Sequence, residues 1–145
     1  MINFSYDYCD HIEYLKQLAD YFKVPVKDNT IWLPPDLCVG YIKVEKLPNG
    51  LQILINEGTL KQDCIFTRNA AEGHHFTLRF DEVRNIKALS VKLGDIVLED
   101  NTNIYSGASL SNPVEKLEYL VNAETEDRCV NIYFTKQWFQ QYFGV

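Results

Sequence analysis

The sequence predicts a mainly β domain, an antiparallel barrel or jelly roll of about seven to nine short strands with a helix at each end. Three observations predict it. Apolar residues recur at helical spacing only near the two ends of the chain, and period-two alternation dominates between them. Turn-forming residues then separate the alternating runs, and no helical pattern is interleaved with them as a parallel sheet would require.

The first helix is expected over about residues 11–23. Asp10 stands as N-cap with Glu13 three positions on, and Ile12, Leu15, Leu18, Ala19 and Phe22 make the apolar stripe, which Val24-Pro25 ends. Its polar side, Glu13, Lys16, Gln17, Asp20 and Lys23, reads as a solvated face. Strand texture begins at Thr30-Ile31-Trp32-Leu33 and stops at Pro34-Pro35. Residues 40–47 alternate, Pro48-Asn49-Gly50 supplies a turn, and Leu51 to Ile55 returns, which is a hairpin signal. Cys64 to Arg68 reads as a further strand. After the polar stretch Asn69 to Gly73 comes the clearest alternation of all, with Phe76, Leu78 and Phe80 expected on the core side and Thr77, Arg79 and Asp81 opposite.

Ala88 to Leu93 and Ile96 to Leu98 read as short strands about Gly94-Asp95, and turn-formers flank Ile104-Tyr105. Leu117, Tyr119 and Val121 alternate, as do Val130, Ile132 and Phe134, and the acidic turn between them marks a second hairpin. Thr135 caps a final helix over about residues 136–143, whose aromatic stripe Trp138, Phe139, Tyr142 and Phe143 needs something to bury it. Those four are the interface candidates, and a stripe so near Val145 reads as the front part of a longer protein.

At 145 residues and 46% hydrophobic, one domain with its own core is expected. The net charge of −6, from 20 acidic and 14 basic residues, argues against a nucleic-acid backbone as partner, since that affinity rests on clustered Lys and Arg. Four dispersed cysteines without a C-x-x-C pair, and no signal-peptide pattern, lead us to expect a cytoplasmic protein with reduced thiols. No apolar run approaches the roughly 20 residues that span a bilayer.

Little in the sequence carries chemistry. His74 and His75 are adjacent, so on a strand they face opposite ways and make a poor metal pair. No Ser or Cys stands near a His in a nucleophile arrangement, and Asp81-Glu82 diverge too. Cys64 and Cys129 read as small buried hydrophobes, and the seven glycines as turn punctuation. Aromatic content is high, and aromatics that exceed a core often line small-molecule pockets. Trp32, Tyr41, His75, Arg79, Tyr105 and Tyr133, aromatic or polar residues on strands or strand edges, are therefore the ligand-pocket candidates.

Leu33-Pro34-Pro35-Asp36-Leu37, Gly40-Tyr41-Ile42, residues 51–63, Leu78 to Val83, and Val130 to Phe134 before Trp138 together carry a family likeness. In their order and spacing they resemble the N-terminal domain of AraC-type transcriptional regulators from Bacteroidetes. The resemblance implies a cupin-like barrel spanning residues 1–145 that senses an effector or mediates homodimerisation. It further implies a separate C-terminal domain beyond residue 145, with two helix-turn-helix units, as the part that binds DNA. The metal-binding histidines of enzymatic cupins are not reproduced, so neither a cofactor nor enzymatic activity is expected. The alternatives are a small metal-dependent cupin enzyme using His74 or His75, and a ligand-free interaction module.

Overall fold

The computed structural model describes residues 1–84, 89–100 and 104–144, with backbone alone for 89–91, 98–100 and 104–105. In chain order the elements are β1 (Ile2–Asp7), α1 (His11–Phe22), β2 (Thr30–Trp32), β3 (Cys38–Lys46), β4 (Gln52–Leu60) and β5 (Cys64–Asn69). Then follow β6 (His75–Arg84), β7 (Leu89–Leu93), β8 (Ile96–Asp100), β9 (Ile104–Ser111), β10 (Leu117–Val121), β11 (Glu126–Thr135) and α2 (Lys136–Phe143). They form a jelly-roll sandwich of two sheets, one ordered β1-β5-β10-β7-β8 and the other β2-β3-β4-β11-β6-β9. From β4 onward the chain crosses repeatedly between the sheets, which places distant segments face to face across the interior.

Both helices sit where the sequence predicts them. Asp10 Oδ1 accepts from the Glu13 amide at 2.9 Å, and α1 ends when Lys23 turns left-handed at φ 55°. Its buried stripe, Leu15, Leu18 and Ala19, packs with Phe4, Ile31, Val44 and Leu54 into one core cluster. A second cluster gathers Ile2, Cys38, Leu60, Cys64, Val83 and Val121. Each fully buried Leu or Val in these clusters contributes about 1.5–3 kcal/mol. Thr135 caps α2 by accepting from the Trp138 amide at 3.0 Å, and the β3–β4 hairpin forms about the expected turn.

The differences from the sequence reading are informative. Among the described residues the strands number eleven; β1 lies outside the strands the sequence predicts, although Ile2, Phe4 and Tyr6 alternate, and it pairs parallel to β5 in an otherwise antiparallel sheet. β10 and β11 are not a hairpin. They lie in different sheets, joined by an arch in which the Glu124 amide donates to the Leu60 carbonyl at 2.8 Å and the Ala123 amide to Asp63 Oδ1 at 2.8 Å. β6 is inverted relative to the expectation: Phe80 is 45% exposed, while Thr77, Arg79 and Asp81 face the interior. β11 likewise turns its less apolar side inward, with Cys129, Asn131 and Tyr133 buried and Val130 outward. The apolar side of these two strands packs laterally instead, Phe76 stacking on Phe134 at 5.6 Å.

The glycines are not all turn residues. Gly40 and Gly58 pair within β3 and β4, where a Cβ on Gly40 would lie 2.2 Å from the Glu57 carbonyl oxygen and 2.4 Å from the Gly58 Cα. Backbone cannot yield as a flexible side chain does. Gly40→Ala should therefore cost about 1–3 kcal/mol, the usual range for overpacking, read as a lower urea midpoint at unchanged slope.

Candidate functional site

The two polar strand faces, turned inward, line a cavity of about 210 Å³ between the sheets. Strand register sets its wall. Across β4, β11, β6 and β9, one row runs Leu54, Asn131, Arg79, Ser109, and the next runs Asn56, Cys129, Asp81, Gly107. Opposing them, β1 and β5 supply Tyr6, Phe66 and Arg68, and β10 supplies Tyr119. α1 closes one flank with His11 and Tyr14.

Two arginines dominate the electrostatics. Arg79 Nε donates to both oxygens of Asp81, at 2.7 and 2.8 Å, and its guanidinium lies over the Tyr119 ring at 4.7 Å from the centroid. Arg68 is 4% exposed and lies over the Tyr8 ring at 4.9 Å. It donates to Ser111 Oγ at 3.1 Å and to the carbonyls of Asn112 and Glu115 at 2.9 and 3.1 Å. All three partners are neutral, and among the described residues no carboxylate lies within 4.0 Å of it.

Asp127 receives a hydrogen bond from Asn56 Nδ2 at 2.8 Å. Burial, opposed by Arg79 and reinforced by Asp81, pushes its carboxyl up to about 6 from an ordinary 3.8. Burial also pulls His11 down to about 4 from 6.5, and raises the Tyr6 hydroxyl and the Cys129 thiol to about 12 each. The tyrosines and cysteines of the wall therefore stay protonated at neutral pH. The cysteines are all free and the Cys9 thiol too is raised to about 12 by burial, so no thiolate nucleophile stands ready in the cavity.

Asp81, Asp127 and Cys129 bring donor atoms within 4.8 Å of one another, the one such grouping among the described residues. It does not fit a transition metal. Both Asp81 oxygens already accept from Arg79, Cys129 holds its proton, and no imidazole joins the set; the guanidinium occupies the role a cation would take. His74 is exposed, and His75 Nδ1 is hydrogen-bonded to the Tyr133 hydroxyl.

Of the sequence-derived pocket candidates, Arg79 lies on the cavity wall. His75 and Tyr133 stack on each other one layer behind it, against Tyr8 and His11. Trp32, 67% exposed, and Tyr41 pair with each other on the outside of the second sheet, away from the cavity. The Tyr105 side chain lies outside the described residues. Of the interface candidates, Phe139, Tyr142 and Phe143 are exposed, and Trp138 packs on Phe134. Arg68, Asp127, Asn56, Tyr6 and Tyr8 escaped the sequence reading. A signal existed for Arg68, which shares the period-two face of Cys64 and Phe66 and so must follow them inward.

No protein-family model matches the chain, and no curated protein matches it. Solved structures similar to it include the cupin domain of Schizosaccharomyces pombe Cnp3, at 7% identity and TM-score 0.48 over 73% of this chain and 68% of that one. An HTH_3 family transcriptional regulator from Vibrio cholerae is similar at 12% identity and TM-score 0.47, over 89% of this chain and 75% of that one. The plu4264 protein of Photorhabdus luminescens is similar at 7% identity and TM-score 0.44, over 83% and 88%. No helix among the described residues is long and apolar enough to cross a membrane.

The buried acid and base give opposite pH signatures. Asp127 holds its proton more tightly folded than unfolded, so its stabilising contribution is complete below about pH 4 and is lost as pH rises through about 6. His11 resists protonation when folded, so its contribution is complete above about pH 6.5 and is lost as pH falls towards about 4. Each shift corresponds to on the order of 3 kcal/mol. Denaturation from pH 4 to 7 should show Asp127→Asn gaining stability relative to the parent as pH rises. His11→Gln should show the reverse, a steeper loss towards pH 7.

Proposed function

We propose that this domain is an effector-sensing module that binds a small polar molecule between its sheets, of the kind that AraC-type regulators join to a separate DNA-binding domain. The observation that carries the reading is the cavity itself, apolar and aromatic on much of its wall with a few convergent charged groups, the usual makeup of a small-molecule site. Its 210 Å³ falls below the roughly 300–1,000 Å³ of sites for drug-sized ligands. A small metabolite suits it better than a nucleotide or a long acyl chain. A catalytic reading has one observation behind it, the Asp127 carboxyl at about 6 beside the cavity, in the range useful for general acid–base work. Against it stand the engagement of Asp81 by Arg79 and the lack of an imidazole in that cluster.

In mechanism, the effector must bind one arrangement of sandwich and α2 better than another, because equal affinity shifts nothing. α2 is suited to pass the signal on: it follows β11, whose Cys129 and Asn131 line the cavity, and it presents Phe139, Tyr142 and Phe143 outward. The same aromatics are the surface we assign to self-association of two copies.

Thermal denaturation against a panel of small polar metabolites tests the sensing role. A true effector at about a hundredfold over its Kd adds about 2.7 kcal/mol, raising Tm by roughly 5–10 °C for a domain of this size. Ligand turnover detected by NMR in the same samples would instead favour catalysis. Light scattering tests the second part: Tyr142→Ser with Phe143→Ser should convert a dimer to a monomer that keeps the far-ultraviolet circular dichroism of the parent, and a parent protein that is monomeric throughout would overturn it.

A further inference from the structure

Resting on the ligand-binding reading above, we infer that the molecule the cavity takes is a small organic carboxylate bearing hydroxyl groups, its charge matched by Arg68. A guanidinium stays ionised in any protein environment, and a buried ion without a counter-charge is costly to keep. Arg79 meets that cost through Asp81, whereas among the described residues Arg68 has only neutral acceptors and its Nε has no partner. Its positive charge is thus uncompensated next to a cavity wide enough for an organic anion. Tyr6 lines the same cavity as both arginines, and its hydroxyl, kept protonated by burial, is a neutral donor for an anion there.

Arg79 is a second cation on the cavity wall. Its Nε is engaged by Asp81, and 22% of the side chain remains exposed. A guanidinium on a cavity wall suits a carboxylate, which it can meet with two parallel N–H donors. The hydroxyls follow from the remaining wall. Among the described residues, Asp127 Oδ1 and Asn131 Oδ1 are buried acceptors without donors, and the Tyr119 hydroxyl is likewise unpartnered. Alcohol groups on a ligand supply the missing donors, and a purely hydrocarbon acid does not. At about 210 Å³ the cavity has room for a compact hydroxy acid.

The test is a thermal-shift and calorimetric series with acetate, glycerate and gluconate, set against the neutral polyols glycerol and sorbitol and against inorganic phosphate. Glycerate or gluconate should bind best, acetate weakly, and the neutral polyols and phosphate at least tenfold more weakly than the best hydroxy acid. Arg68→Gln should weaken hydroxy-acid binding by about 10- to 100-fold, the worth of a hydrogen bond to a charged group. Arg68→Lys keeps the charge and serves if Arg68→Gln does not fold; it should stay within about tenfold of the parent. Equal binding of sorbitol and gluconate overturns the carboxylate while leaving the cavity as a ligand site. A phosphate shift matching that of gluconate, or unchanged hydroxy-acid binding by Arg68→Gln, also overturns it. If neither these probes nor any member of the metabolite panel shifts Tm, the sensing role falls with it.

Discussion

The contact between Arg79 Nε and the two oxygens of Asp81 is what allows a polar interior in this sandwich. Without it, β6 would place a lone cation and a lone anion between two sheets, each carrying a desolvation penalty of several kcal/mol. With it, the strand can turn its polar side inward and its phenylalanines outward. β11, paired to β6 residue by residue from Glu126 to Thr135, follows the same inversion. The cavity exists because two adjacent strands are inverted together, and the outward aromatics of both then find one another and α2.

This arrangement ties function to stability in an unusual way. The group with the raised carboxyl pKa and the one with the depressed imidazole pKa both line the cavity, and their effects on folding run in opposite directions over the same interval between about pH 4 and 6. One takes up a proton on folding where the other gives one up. The contributions of these two groups to the pH dependence of folding therefore largely offset each other. A ligand that reaches Asp127 disturbs that balance, so its binding should be accompanied by proton uptake or release.

Much of the fold was legible in the sequence because the signals are local. A capping residue and a 3.6-residue stripe define α1 and α2, and a turn between two alternating runs defines the β3–β4 hairpin. What was not legible is non-local. Alternation reports that Phe76, Leu78 and Phe80 share a face, but not which face is inside; that is decided by the arginine–aspartate pair and by where α2 docks. The same ambiguity hid the cavity wall, since Arg68, Arg79 and Asp127 come together only through the crossing of the chain between sheets. The arch from β10 to β11 reads as a hairpin in sequence because the contacts that hold it, from Leu60 and Asp63, come from a connection some sixty residues earlier.

The glycine pair in β3 and β4 has a consequence for the breadth of the family of cavities this scaffold can offer. Gly58 lies on the cavity wall, and the space a Cβ there would need is held by Cys38 Sγ at 2.7 Å. The wall is thin at that point because side chains are missing, so chamber size is set partly by omission. A thicker wall requires a smaller residue at position 38 in the same step. Related chains that evolved to hold a smaller molecule should thus show the two positions changing as a couple, a mark of selection on chamber size that could be sought without knowing the ligand.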